Sequence, residues 1–158
     1  MPPEAALTFP RLLPVMPGKE QECGDMLRAA GIQTTGLEFL FCRREGPDGQ
    51  QRLTARYRVR GSDAAAVEQV LRERCHMGAL VRSLGIWGVP DGGEGRLSLA
   101  ALRASLPKKW ALPADAQACV SMGEVPQSGT FAPDRTAWAG IAWFAVRVDV
   151  PLDVGRPD

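Results

Sequence analysis

The sequence predicts an α+β fold in which an antiparallel sheet of about five strands carries two or three helices packed on one face. Three observations support this class: alternation of apolar and polar residues, apolar residues at helical spacing, and glycine- and proline-rich breaks between segments. The predicted order is α-β-β-α-β-α-β-β. We expect a proline-rich arm at 1–18, a single domain at 19–152 and a frayed tail at 153–158.

A hairpin between residues 37 and 60 is the clearest element. Its second strand alternates apolar residues with polar ones, mostly arginines: Leu53, Ala55, Tyr57 and Val59 against Arg52, Thr54, Arg56, Arg58 and Arg60. Because successive side chains leave opposite faces of a strand, one face of this strand is apolar and the other is rich in arginine. The intervening Gly46-Pro47-Asp48-Gly49 has the composition of a turn.

The other elements follow from apolar stripes and their breaks. Helices are predicted at 19–30, ended by Gly31, and at 63–77, with Ser62 as N-cap and Gly78 as the stop. The remaining predicted elements are strands at 79–89, 117–125 and 137–150, a short helix at 96–106 capped by Ser98, and a polar loop at 126–136.

Composition excludes several classes of function. The formal net charge of +1 argues against a nucleic-acid partner, because such proteins usually carry a strong basic excess. No apolar run approaches the roughly 20 residues needed to cross a bilayer, so no membrane span is expected.

Catalytic and metal-binding patterns are missing from the sequence. The single histidine, His76, follows Cys75 directly, and neighbours on a helix point about 100° apart, so the two do not form a nucleophile–base pair. We expect a buried Cys75 and a solvent-facing His76. The carboxylates are scattered, and no cofactor loop or metal-ligand cluster is present. The sequence therefore predicts no catalytic residue, no metal and no cofactor, which disfavours an enzyme.

Arginines give the most distinctive surface feature. The residues predicted to contact a protein partner are Arg43, Arg44, Arg52, Arg56, Arg58 and Arg60 of the hairpin, with Asp134 and Arg135 of the polar loop. Arginine binds carboxylates bidentately and is enriched at interface hot spots. The alternative is a solvated sheet face with Glu38 on the neighbouring strand as its counter-charge.

The four cysteines (Cys23, Cys42, Cys75 and Cys119) contain no C-x-x-C pair. By count alone they fit either disulfides in an exported protein or buried thiols in a cytoplasmic one.

Several segments resemble a family of small proteobacterial proteins grouped as a domain of unknown function, which usually carry an export signal. They are Cys23-Gly-Asp-Met-Leu27, the run Leu53–Gly61, Ala64-Ala-Ala-Val-Glu68, Val120–Glu124 and Phe144-Ala-Val-Arg-Val148. The family often has a Cys-Cys pair where this chain reads Leu84-Gly-Ile-Trp87, and the leader is absent from this chain. The resemblance implies no activity. It implies export, hence a Cys23–Cys42 disulfide and a periplasmic location, with a cytoplasmic one as the alternative.

These observations favour a non-enzymatic binding protein. We expect an immunity or inhibitor protein that neutralises a secreted bacterial toxin, such as a type VI secretion effector, by binding this cognate protein partner. The alternatives are a small hydrolase or a ligand-binding envelope protein.

Overall fold

Seven antiparallel strands form one open sheet in the computed structural model, which describes residues 22–47, 49–102, 106, 112, 117–126 and 132–152. The strands are β1 (Glu38–Glu45), β2 (Arg52–Arg60), β3 (Val81–Ser83), β4 (Ile86–Gly88), β5 (Gly95–Ser98), β6 (Gln117–Glu124) and β7 (Trp143–Pro151). The described helices are α1 (Met26–Ala29), α2 (Gly61–Cys75), α3 (Leu99–Leu102) and a 3-10 helix (Arg135–Gly140). The predicted arm at 1–18 and tail at 153–158 lie outside the described residues.

The strand order is β1-β2-β7-β6-β4-β3, and β5 pairs with β6 beside β4. The α+β class is confirmed, whereas the predicted count of five strands and the predicted order of helices and strands are wrong. Strands β2 and β7 are neighbours, so the predicted first hairpin (β1 and β2) meets the β6–β7 pair there. No helix in the described part of the chain is long and apolar enough to span a bilayer.

The core lies on one side of the sheet. It receives the inward residues of β2 and β7, such as Tyr57 and Phe144, and buried residues from all four described helices. Those helix residues are Met26, Leu27, Ala64, Val67, Leu71, Cys75, Leu99, Leu102 and Trp138. The alternation in β2 therefore separates core from surface as the sequence predicts.

The predicted strand at 79–89 is two short strands. Leu84 and Gly85 have φ of 54° and 82° and form a two-residue turn that joins Ser83 to Ile86. Positive φ at both central residues is what a type I′ hairpin turn requires. Leucine rarely adopts a positive φ, so the sequence pattern did not predict a turn at Leu84.

The first predicted helix is shorter than expected. Residues 19–21 lie outside the described part, and the helix begins at Met26 because Asp25 accepts a hydrogen bond from the Arg28 amide at 3.0 Å. The preceding amides of Glu22 and Cys23 donate to the Cys42 carbonyl of β1 instead.

The second predicted helix starts and stops two residues early. It runs from Gly61 with Arg60 as N-cap, so Ser62 lies inside the helix, and it ends when His76 adopts a left-handed conformation with φ of 59°.

Two further boundaries differ from the prediction. The segment at 96–106 begins as β5 and becomes helical at Leu99, where the Ser98 hydroxyl accepts from the Ala101 amide at 3.4 Å as predicted. The last strand starts at Trp143 rather than at residue 137, because a 3-10 helix intervenes and inserts Trp138 against Trp87 and Phe144 in the core.

Gly61 is tightly enclosed at the junction of β2 and α2. A Cβ on this residue would collide with the carbonyl oxygens of Trp138 and Ile141, which are backbone atoms held by the 3-10 helix. We therefore expect Gly61→Ala to destabilise the fold by about 2 kcal/mol or more, as overpacking does in a close-packed interior. Ser62→Ala, at an exposed neighbouring position, is the control, and urea unfolding of both variants is the measurement. Equal stability of the two variants would contradict the expectation.

Candidate functional site

The side of the sheet opposite the core is the candidate site, and we call it the outer face. The side chains that alternation places there are Glu38, Phe41, Arg43 and Glu45 of β1, Arg52, Thr54, Arg56, Arg58 and Arg60 of β2, and Trp143, Ala145, Arg147 and Asp149 of β7. A bulge between Phe39 and Phe41 shifts the register of β1, so that Phe39 packs on Tyr57 in the core while Phe41 lies opposite Arg56.

Glu45 is the first of two carboxylates that organise the outer face. It accepts two hydrogen bonds from Arg56, at 2.7 and 3.0 Å, and one from Arg43 at 3.3 Å. Burial raises the pKa of Glu45, but the hydrogen bonds and charges of Arg56 and Arg43 outweigh it, so the pKa lies below its ordinary value. The same hydrogen bonds raise the pKa of Arg56. The Glu45 carboxylate and the Arg56 guanidinium are therefore charged at neutral pH.

Asp149 is the second organising carboxylate. Its Oδ1 accepts from the Thr54 hydroxyl at 2.6 Å and from Arg52 at 3.2 Å, and its Oδ2 accepts from Arg147 at 2.8 Å. Thr54 is fully buried beneath these side chains. The carboxylate thus ties β2 to β7 across the outer face.

Aromatic rings support the remaining guanidiniums. Arg58 and Arg60 lie over the ring of Trp143, at 4.3 and 4.8 Å from its centroid. Arg58 also donates two hydrogen bonds to Glu38, at 2.8 and 3.2 Å, so the predicted counter-charge is confirmed. Arg43 lies 4.5 Å above the ring of the buried Phe41.

The outer face has an excess of positive charge. Its β1, β2 and β7 strands carry six arginines (Arg43, Arg52, Arg56, Arg58, Arg60 and Arg147) and three carboxylates (Glu38, Glu45 and Asp149). Half-exposed ion pairs of this kind add little to stability, typically about 0.2–1 kcal/mol each. Their consequence is geometric, because they hold planar bidentate donors in fixed positions.

Other predicted site residues lie elsewhere. Arg44 is exposed on β1, pairs with the inward-facing Leu53, and its amide binds the Glu22 carboxylate at 3.0 Å. Arg135 donates to the buried carboxylate of Glu68 and to the Leu80 carbonyl on the helix side of the sheet.

Glu68 accepts in addition from the Leu80 amide at 2.7 Å, so the Arg135 pair connects α2 to the segment before β3. Asp134 precedes the 3-10 helix and accepts from the Thr136 hydroxyl. The structure therefore brings five of the predicted arginines together and leaves Arg44, Asp134 and Arg135 outside that group.

Cys23 and Cys42 form the disulfide that the family resemblance implied, with Cα atoms 5.0 Å apart. The bridge fastens the segment before α1 to β1. Disulfides persist in oxidising compartments, so this bridge is consistent with an exported protein.

Cys75 and His76 do not form a reactive pair. Cys75 is buried and burial raises the pKa of its thiol to about 11, so the thiol is protonated at neutral pH, while His76 faces solvent as predicted. Among the described residues no group of three or more histidine, cysteine or acidic side chains could hold a metal ion.

A cavity of about 240 Å³ lies beside α1 and is lined in part by Asp25, Arg28 and Tyr57. The Tyr57 hydroxyl donates to Asp25 at 2.7 Å and accepts from the Leu27 amide at 2.9 Å, and burial raises its pKa. Both groups are thus engaged in holding α1 against the sheet, and the cavity presents no activated nucleophile.

The members of the outer face that sequence reasoning missed include Glu45, Trp143, Arg147 and Asp149. The alternation of Trp143, Ala145, Arg147 and Asp149 with inward residues of β7 was a usable signal for the last three. No local signal identified Glu45, because its role depends on the register of β1 against β2.

Comparison with known proteins gives a family match over part of the chain and assigns no activity. Residues 14–87 match a family described as a domain of unknown function (DUF4952), which confirms the resemblance over this segment. No curated protein and no solved structure gives a significant match to the chain.

Loss of the Cys23–Cys42 bridge should weaken the fold. Closing a loop with a sequence separation of 19 residues restricts the unfolded chain, so we expect Cys23→Ser/Cys42→Ser to lose about 3 kcal/mol of unfolding free energy. Chemical denaturation is the measurement, and wild-type protein in a thiol reductant should show the same loss. No change in either sample would refute the expected contribution.

Protonation of Glu45 should destabilise the fold at low pH. Because its pKa in the folded state is lowered, its contribution is fully present above the ordinary value of 4.5 and is lost as pH falls through the lower folded value. The stability difference between wild type and Glu45→Gln should therefore shrink as pH is lowered from 7 to about 3. Denaturation curves across this range test it, with Glu73→Gln on the exposed face of α2 as control. A difference independent of pH would contradict the assignment.

Proposed function

We propose that this protein is a non-enzymatic binding protein that neutralises a secreted bacterial toxin by binding it, as immunity and inhibitor proteins do. The observation that carries the proposal is the outer face, where six arginines are held by three carboxylates and two aromatic rings. A type VI secretion effector is one source of such a toxin.

The arrangement of the arginines suits a binding surface. Ordering a long side chain on binding usually costs about 0.5–1.5 kcal/mol of side-chain entropy. Arg56 and Arg58 are already fixed by bidentate carboxylates, so a partner meets guanidiniums whose order was established on folding. Arginine is also the charged residue most enriched in binding hot spots.

The excess of arginine over carboxylate favours a partner with an acidic protein surface. A nucleic acid is disfavoured, because a single-stranded ligand needs exposed aromatic side chains for base stacking. Trp143 is 8% exposed and lies beneath Arg58 and Arg60, and Phe41 lies beneath Arg43.

We place the protein in the periplasm. The Cys23–Cys42 bridge supports this location, because a thiol pair in the bacterial cytoplasm is usually kept reduced. An immunity protein in the periplasm would meet a toxin delivered from a neighbouring cell.

Growth rescue is the direct test of the proposal. The product of the gene adjacent to this one should be toxic when produced in the periplasm, and co-production of this chain should restore growth. Purified components should form a complex whose affinity falls with rising salt, since steering by surface charge is screened. A non-toxic neighbour, or toxicity that this chain does not relieve, would count against the proposal.

Charge reversal at Arg60 tests which face binds. Arg60 is exposed at the end of β2, so Arg60→Glu should leave the fold intact while it weakens binding about tenfold or more. Arg72→Glu on the exposed side of α2 is the matched control, with the same change in charge. Titration calorimetry on both variants is the measurement. Equal loss in both would show that net charge, and not the outer face, determines affinity.

A further inference from the structure

The β3–β4 hairpin carries the large exposed apolar side chains of the described residues. Leu84 is 99% exposed, Val81 is 42% exposed and Ile86 is 40% exposed. Single exposed apolar residues are ordinary, but three within six positions form a patch of the kind that marks an interaction site.

The hairpin is firmly anchored beneath this patch. Trp87 points into the core, where its indole N–H donates to the Ala132 carbonyl at 2.8 Å and its ring packs edge-on against Trp138. The Trp87 amide donates to the Glu124 carboxylate at 2.9 Å. The exposed apolar side chains therefore sit on a fixed base.

Leu84 is unfavourable for folding on two counts. Its φ of 54° is a conformation that disfavours any residue with a Cβ other than asparagine or aspartate, and its side chain is almost wholly in water. Asparagine followed by Gly85 would form the same turn without either disadvantage. A leucine at a strained, exposed tip points to a role outside folding.

One row of the sheet connects this hairpin to the arginines. Successive paired residues across the five strands β2, β7, β6, β4 and β3 form this row, which runs Arg58, Ala145, Gly123, Gly88 and Val81. The three residues between Arg58 and Val81 have at most one side-chain carbon each, so the row carries no bulky side chain. Four strand spacings make it roughly 19 Å long, which fits within one standard protein interface.

We propose that the β3–β4 hairpin is the apolar anchor of the interface, with Leu84 inserted into an apolar pocket of the same partner whose acidic surface meets the arginines. The inference rests on the proposed function. Charge supports a partner with an acidic rim, because residues 81–88 contain no carboxylate and the row of small residues leads directly to the arginine excess.

Leu84→Asn separates binding from folding. If Leu84 is an anchor, the variant should bind the adjacent-gene product about fivefold more weakly or worse, while its thermal midpoint rises by a few degrees. If Leu84 has a merely structural role, Leu84→Asn should lower the thermal midpoint and leave the affinity for the partner unchanged. Leu84→Ala, which keeps the strained backbone and removes most of the side chain, should also lose affinity.

Site-specific photo-crosslinking in the native host provides the second arm. The full chain would carry p-benzoylphenylalanine in place of Ser83 on the hairpin, Gln117 on the outer face of β6, or Ala66 on α2. The same protein adduct from the Ser83 and Gln117 positions, absent from the Ala66 position and reduced by Leu84→Asn, supports the anchor.

The other outcomes overturn it in distinguishable ways. An adduct from Gln117 alone would refute the anchor and leave the proposed function intact. If neither Ser83 nor Gln117 gives an adduct, both the anchor and the proposed function are refuted. Sedimentation with vesicles of phosphatidylcholine and phosphatidylglycerol that is lost in Leu84→Asn would assign the tip to a membrane surface. Concentration-dependent dimerisation that is lost in the same variant would assign it to a second copy of this chain.

Discussion

The simultaneous pairing of β2 with β1 and β7 is the constraint on which both faces of the sheet depend. The register places Arg56 directly opposite Arg147, and like charges in this position are destabilising. Glu45 reaches Arg56 from β1, and Asp149 reaches Arg147 along β7 and Arg52 across the strands. The arginine surface therefore requires β1, β2 and β7 side by side. Glu45 and Asp149 reach their arginines only in the strand register that also buries Tyr57 and Phe144.

Elements with a strong period were predictable from the sequence, and elements set by tertiary contacts were not. The alternation in β2 specified its strand and both of its faces. The division of residues 79–89 into a hairpin was hidden, because Leu84 is a poor residue for its own backbone conformation. The delayed start of α1 was also hidden, since residues 22 and 23 bond to β1, a contact that no local propensity reveals.

The same distinction applies to the candidate site. The alternation in β2 placed four arginines on one face, and Glu38 followed as a neighbour across the first hairpin. The hydrogen bond from the Thr54 hydroxyl to Asp149 joins residues 95 positions apart, so it could not be predicted without the strand order. The sequence predicts Arg135 in a polar surface loop, yet its guanidinium lies against the buried Glu68, because residues 135–140 form a 3-10 helix that packs on α2.

The distribution of ion pairs determines where on the outer face affinity can arise. At its centre a partner carboxylate must compete with Glu45 for Arg56 and Arg43, so a new contact there replaces an existing one and gains little. At the end of β2, Arg60 stacks on Trp143 and has no carboxylate partner among the described residues, so a contact there is additional. That end adjoins the row of small residues leading to Val81. The central pairs therefore fix the geometry, and binding energy should concentrate between Arg60 and the β3–β4 hairpin.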